Sequence, residues 1–192
     1  MKKIIIGIIV IIILGLGAFL LYKYSGRTTT TFSESSQNKI NTTPPMTITS
    51  PAFLDAQAIP KQYSCDGSGI NPPLNFSNIP AEAKSLALTI QDPDAPNPPW
   101  THWVMWNISP STTSVSENSV PPEATQGQGS SGQNVYGAPC PPSGTHHYIF
   151  TVYALDAKLI IPSYSTFDNL QTAMQGHIIS QAQLVGTYSR GQ

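Results

Sequence analysis

The stretch from Gln91 to Asn107, QDPDAPNPPWTHWVMWN, constrains the fold of this chain more tightly than any other. Seventeen residues hold two carboxylates (Asp92, Asp94), one imidazole (His102), four prolines and all three tryptophans of the chain. The prolines around the acids fix φ and remove backbone donors, so the first half cannot be helical and reads as a stiff loop. The second half, His102–Ile108, is aromatic and β-branched with no breaker, and reads as a buried strand. An acidic loop feeding a strand that opens on histidine puts Asp92 and His102 at one end of a sheet. Loops held by a scaffold commonly carry binding groups. A Trp-rich core strand behind an ordinary Pro/Asp turn accounts for the same residues with no function at all.

Charged residues make up only 10% of the 192, and 18 prolines with 14 glycines argue against a helical bundle. The charge is segregated. Residues 1–45 carry a balance of +4, and residues 46–192 a balance of −5. An acidic domain lacks the electrostatic footprint of a nucleic-acid binder. All four histidines (His102, His146, His147, His177) lie in the acidic part. Cys65 and Cys140 are too few for a zinc cluster. They fit either one disulfide in an oxidising compartment or two buried free thiols.

Ile4–Leu21 is an uncharged apolar run of eighteen residues behind Met1-Lys2-Lys3. That length is about the minimum for crossing a bilayer, and no small-x-small cleavage site is well formed. A transmembrane signal anchor is expected over residues 1–24, with the domain outside the cytoplasm. The alternative is a cleaved signal and a secreted domain. Residues 25–45, rich in Ser, Thr and Asn, read as a flexible stalk. The folded domain is expected over 46–192.

Within that domain, strands are expected at Met46–Ser50, Asn71–Phe76, Ser85–Gln91, His102–Ile108, Tyr148–Leu155 and Leu184–Tyr188, with an extended piece over Ala58–Asp66. Ser109–Gly144 shows no clear element, and so long a loop in a compact domain usually has a job. One helix is expected over Ser165–Gln181. Ser165 is its cap and Asp168 its capping-box partner, with Phe167, Leu170, Met174 and Ile178 on one face and His177 on the helix. The fold class is mostly β: an antiparallel sandwich with a peripheral C-terminal helix, preceded by the transmembrane helix.

Tyr136–Asp156, YGAPCPPSGTHHYIFTVYALD, repeats the layout of rigid loop, histidine and buried strand. Two such loops at one edge of neighbouring strands would bring Asp92, His102 and His146 together, in a small polar pocket suited to an anion. Taken in order, IPKQYSCDG, NPPLNF, DPDAP, HWVMWNI, CPPSGTHHYIFTVYALD, AMQGHII and LVGTY resemble the phosphatidylethanolamine-binding protein family, above all its bacterial, Raf kinase inhibitor-like branch. The resemblance spans residues 46–190. It implies a β-sandwich of two sheets with a small anion pocket lined by Asp92, Trp100, His102, Pro141, Pro142, His146 and Tyr148. It further implies a ligand of the phosphate or phospholipid head-group type, no metal or cofactor, and, by analogy with some eukaryotic members, inhibition of a partner enzyme. Cys65 and Cys140 lie in two of the motif loops, SCDG and PCPP, so both are expected near the pocket end, joined as a disulfide if the domain is exported.

The chain departs from the family pattern in carrying His147 where an arginine is usual, and Ala138 where a second glycine is usual. His147 and His177 are left outside the site. A hydrolase or metal-dependent enzyme built on Asp92, His102 and His146 is the competing reading, since two histidines and a carboxylate form a known metal triad. Against it, GQGSSGQ (127–133) does not match a nucleophile elbow. No protein partner is named by the sequence, and a non-enzymatic binding module is the expectation.

Overall fold

The computed structural model describes residues 44–191. Among the described residues nine strands form two sheets. β1 (Thr47–Thr49), β3 (Leu74–Ser77) and β6 (Ser114–Val115) make a small sheet in the order β1-β3-β6. β2 (Gln57–Ala58), β4 (Ser85–Asp92), β5 (Trp100–Ile108), β7 (Thr125–Gln126), β8 (Thr145–Leu155) and β9 (Ile178–Ser189) make a large one, ordered β2-β9-β8-β4-β5-β7. Every pairing is antiparallel except the short β2–β9 pair.

The unbroken apolar run of β5 has a physical reason: the large sheet is covered on both faces. Trp103 and Met105 point into the main core between the sheets, with Leu86, Leu88, Ile90, Phe150 and Val152. Val104 and Trp106 point the other way, into a second cluster with Ala87, Leu155, Leu159, Leu170 and Met174. The last two belong to the helix α1 (Phe167–Met174), which caps that outer face.

The helix is shorter than the periodicity suggests, and its cap differs. Thr166 is the N-cap, and its backbone N–H donates to Asn169 Oδ1 at 3.1 Å. Ser165 is buried and tied elsewhere: its N–H donates to the Pro162 carbonyl, and its own carbonyl accepts from Gln128 N. At the other end Gly176, with φ +78°, turns the chain out of the helix, a routine use of glycine. His177 therefore sits in the turn after the helix, and Ile178 opens β9. The long loop 109–144 contributes β6 and β7 and runs beside β5. Gly127 N, Ser130 N and Gly137 N donate to the carbonyls of Val104, Thr101 and His102.

The expected transmembrane helix is corrected as a part of this fold. Among the described residues no helix is long and apolar enough to cross a membrane. The eight residues of α1 rise about 12 Å, against a hydrocarbon core of about 30 Å. The run Ile4–Leu21, like the expected anchor and almost all of the expected stalk, lies outside the described residues.

Candidate functional site

Sheet order explains why three distant residues meet. β4 lies between β8 and β5 and is antiparallel to both, so the end of β4 abuts the starts of its two neighbours. Asp92 ends β4, His102 lies near the start of β5 and His146 near the start of β8. All three are buried.

A β-bulge aims His102. Ile90 pairs with Trp103 and Gln91 with Thr101, so His102 is the extra residue of β5. Bulges re-aim side chains in this way. His102 consequently turns toward Tyr148 of the main core, their rings meeting edge to face at 5.1 Å.

The polar geometry is closed on one side. Asp92 Oδ1 accepts from the Asp94 backbone N–H at 2.8 Å, and Asp92 Oδ2 accepts from His146 Nδ1 at 2.7 Å. His102 Nδ1 donates to the Gly137 carbonyl at 2.8 Å. Its Nε2 lies 3.9 Å from Asp92 Oδ2, too far for a hydrogen bond, and is buried without a partner among the described residues. Burial holds the His102 imidazole below its ordinary pKa; the Gly137 carbonyl and the Asp92 charge pull the other way, and His146 adds to the lowering.

These groups open into a cleft of about 340 Å³, walled by Trp100, Pro96, Ala138, Cys140, Pro141 and Pro142. Of the residues singled out in the sequence, Asp92, Trp100, His102, Pro141, Pro142 and His146 line it. Tyr148 does not. It is fully buried behind His102, and burial together with the Asp92 and Asp94 charges raises its phenol pKa well above the ordinary value. Cys140, expected near the pocket end, lines the wall and is bonded to Cys65 with a Cα–Cα distance of 5.4 Å. Sequence reasoning missed Gly137, whose carbonyl orients His102. A backbone acceptor leaves no signature in residue identity. His147 lies outside the cleft, on the exposed rim, where its backbone N–H and its Nδ1 both donate to Asp94 Oδ2, at 2.8 and 2.7 Å. His177 is remote from it and pairs with Asp156 at 2.8 Å.

The phosphatidylethanolamine-binding protein family model matches residues 49–189. This chain belongs to that family. The UPF0098 protein of Methanothermobacter thermautotrophicus is 45% identical over 151 residues, which cover 76% of this chain and 100% of that one. A solved structure from Chlamydia trachomatis, CT736, described as a homologue of the phosphatidylethanolamine-binding proteins, superposes with a TM-score of 0.74 at 44% identity; the match covers 76% of this chain and 98% of that one. A Mycobacterium tuberculosis protein named as a lipoprotein, LppC, is 40% identical, covering 75% of this chain and 72% of its own. The family and the two-sheet fold thus stand on sequence and structure together.

Proposed function

We propose that this member of the family is a binding module rather than a catalyst, and that its cleft takes a small phosphate-type anion or head group. The observation that carries the reading is the pair of buried imidazoles, His102 and His146, fixed in orientation by the Gly137 carbonyl and Asp92 at the floor of a proline-walled cleft. Small-ligand sites characteristically combine apolar walls with a few convergent polar groups. No residue of the cleft is placed as an activated nucleophile. The nearest hydroxyl-bearing wall residues, Thr101 and Ser131, form no hydrogen bond to either imidazole.

The domain is proposed to work outside the cytoplasm. The Cys65–Cys140 disulfide supports this, since such bonds persist in oxidising compartments, as does the name of the mycobacterial relative.

Calorimetric titration of phosphate, phosphoethanolamine and acetate into the protein tests the site. Charge-assisted hydrogen bonds are worth about 1.5–3 kcal/mol each, so His146→Ala should weaken phosphate-type ligands at least several-fold. Unchanged affinity in both His102→Ala and His146→Ala removes the cleft as the ligand site.

A further inference from the structure

The loop between β4 and β5, residues 93–99, supplies one wall of the cleft through Ala95 and Pro96 and leads to Trp100, which also lines it. Four of its seven residues are proline, so it has few backbone donors with which to hold itself in place. Among the described residues, Asp94 is its only member that hydrogen-bonds to β8. Asp94 Oδ2 accepts twice from His147, from the backbone N–H at 2.8 Å and from the ring Nδ1 at 2.7 Å.

This contact runs beside the buried one. Asp92 Oδ2 receives His146 Nδ1 in the interior, and Asp94 Oδ2 receives His147 Nδ1 at the surface. The Asp94 N–H links the two carboxylates by donating to Asp92 Oδ1. The inner contact orients an imidazole of the cleft. The outer one lies apart from it: neither Asp94 nor His147 lines the cleft, and their side chains are 41% and 55% exposed. An exposed ion pair does little for global stability. Its effect here is local, because Ala95 and Pro96 follow Asp94 directly, and Ala95 is buried. The Asp94 carboxyl is held below the usual carboxylate range, first by the His147 ring and then by the His147 backbone N–H, so it is ionised and paired at neutral pH. His147 is also the residue at which the chain departs from the family pattern beside the site.

Resting on the anion-site reading above, we infer that His147 is a positioning residue for the cleft: with Asp94 it forms a latch on the rim that holds the Ala95–Pro96 wall against β8. The affinity of the cleft depends on this latch, although neither residue touches the ligand. His147 acts as a hydrogen-bond donor to the loop, not as a charge offered to the ligand. When the latch opens, the wall leaves its place, and apparent affinity falls with the fraction of time the wall is correctly set.

Hydrogen exchange in the loop of the ligand-free, full-length protein and calorimetric titration of inorganic phosphate test the latch together. His147→Ala removes the ring donor and keeps the backbone donor. His147→Asn keeps a side-chain donor, because the amide nitrogen stands one bond beyond Cγ as Nδ1 does, yet it cannot take up a proton. Asp94→Ala removes the acceptor of both bonds. Both residues are exposed, so the fold should tolerate these changes, singly and together. Exchange at the Ala95 and Asn97 amides should quicken in His147→Ala, quicken further in Asp94→Ala, and stay near wild type in His147→Asn. Phosphate affinity should fall in the same order, by about 2- to 5-fold in His147→Ala, the range that an exposed ion pair spans. Asp94→Ala combined with His147→Ala should bind no more weakly than Asp94→Ala alone, since both changes break one contact.

That pattern supports the inference. Equal loss of affinity in His147→Ala and His147→Asn makes the side chain a charge for the ligand and overturns it. Unchanged exchange in His147→Ala overturns it as well, since the loop is then held without the ring. Faster exchange with unchanged phosphate affinity overturns the positioning role and leaves the anion site standing. Failure of the wild-type protein to bind phosphate removes the anion-site reading and the role of His147 with it.

Discussion

Asp92 and His146, fifty-four residues apart in the chain, are joined at 2.7 Å by a hydrogen bond from Nδ1 to Oδ2, at the point where β4 ends and β8 begins. The second oxygen of the same carboxylate holds the Asp94 N–H and so turns the DPDAP loop. One side chain therefore orients an imidazole and shapes the wall beside it.

That double duty makes Asp92→Asn a sharp probe. An amide has one acceptor oxygen where the carboxylate has two. In one orientation its NH2 opposes the His146 Nδ1–H, and in the other it opposes the Asp94 N–H. In the first case the ring has to move its proton to Nε2 in order to accept from the amide, and in the second the part-buried Asp94 N–H loses its partner, at a cost of about 1–3 kcal/mol. Urea denaturation should show that loss, and the ¹⁵N resonances of His146 should shift as its proton is freed from Nδ1. A stability within about 0.5 kcal/mol of wild type, the usual span for a surface change, would mean that the carboxylate carries no such role.

The His102 imidazole gives a pH signature. Burial lowers its pKa in the fold, so it is neutral there and charges on unfolding once the pH drops below about 6.5. Below that value the unfolded chain binds more protons than the folded one, so stability is lost as pH falls. The slope for one such group is at most about 1.4 kcal/mol per pH unit, and it ends once the pH passes beneath the folded-state pKa. Asp94, lowered first by the His147 side-chain hydrogen bond, and Asp66, lowered first by the Tyr188 hydroxyl, act in a separate window below pH about 4. Urea midpoints between pH 7.5 and 5 should fall for wild type and flatten in His102→Gln. A slope that survives the substitution belongs to another group.

Much of this arrangement was legible because it is built from local chemistry. Proline on both sides of an acid forces a loop, and an aromatic, breaker-free run forces a strand, so both motif loops and the strands after them could be read directly. Their meeting at one edge follows once two such units lie side by side. What could not be read depends on pairing. The bulge that turns His102 exists only against β4, and the Gly137 carbonyl is invisible in residue identity. Tyr148, which the family resemblance placed in the pocket lining, alternates into the core behind His102. The helix end is different: Gly176 lies inside the span expected to be helical, and at φ +78° the chain turns out of the helix there.

Packing of the residues on either side of β2 against the large sheet yields a prediction remote from the cleft. Gly186 lies on β9 opposite Gln57, and a Cβ there would come within 2.5 Å of Ile59 Cγ1 and 2.9 Å of Phe53 Cε2. Ile59 is 1% exposed and has nowhere to go. Gly186→Ala should cost about 1–3 kcal/mol by overpacking. Ile59→Val, by trimming the crowded side chain, should recover part of that loss when combined with it. Simple addition of the two costs would show that the two residues do not compete for the same space.

The disulfide gives the last prediction. Cys65 and Cys140 are 75 residues apart, and closing a loop of that length removes chain entropy from the unfolded state worth roughly 4 kcal/mol. Both cysteines are solvent-exposed, so a reductant can reach the bond. The folded contacts around it do not need the sulfurs. Cys65 N–H donates to the Pro139 carbonyl at 3.0 Å, and the Tyr136 hydroxyl to the Tyr63 carbonyl at 2.9 Å. Reduction should therefore lower the urea midpoint strongly while leaving the folded spectrum near native in the absence of denaturant. Cys140 lines the cleft and leads into Pro141 and Pro142, so phosphate affinity should also weaken as that wall gains freedom. A Cys65→Ala/Cys140→Ala double variant should match the reduced protein in both respects. If oxidised and reduced protein unfold within about 1 kcal/mol of each other, a small fraction of that entropic value, the hydrogen bonds already confine the loop and the covalent link adds little to the fold.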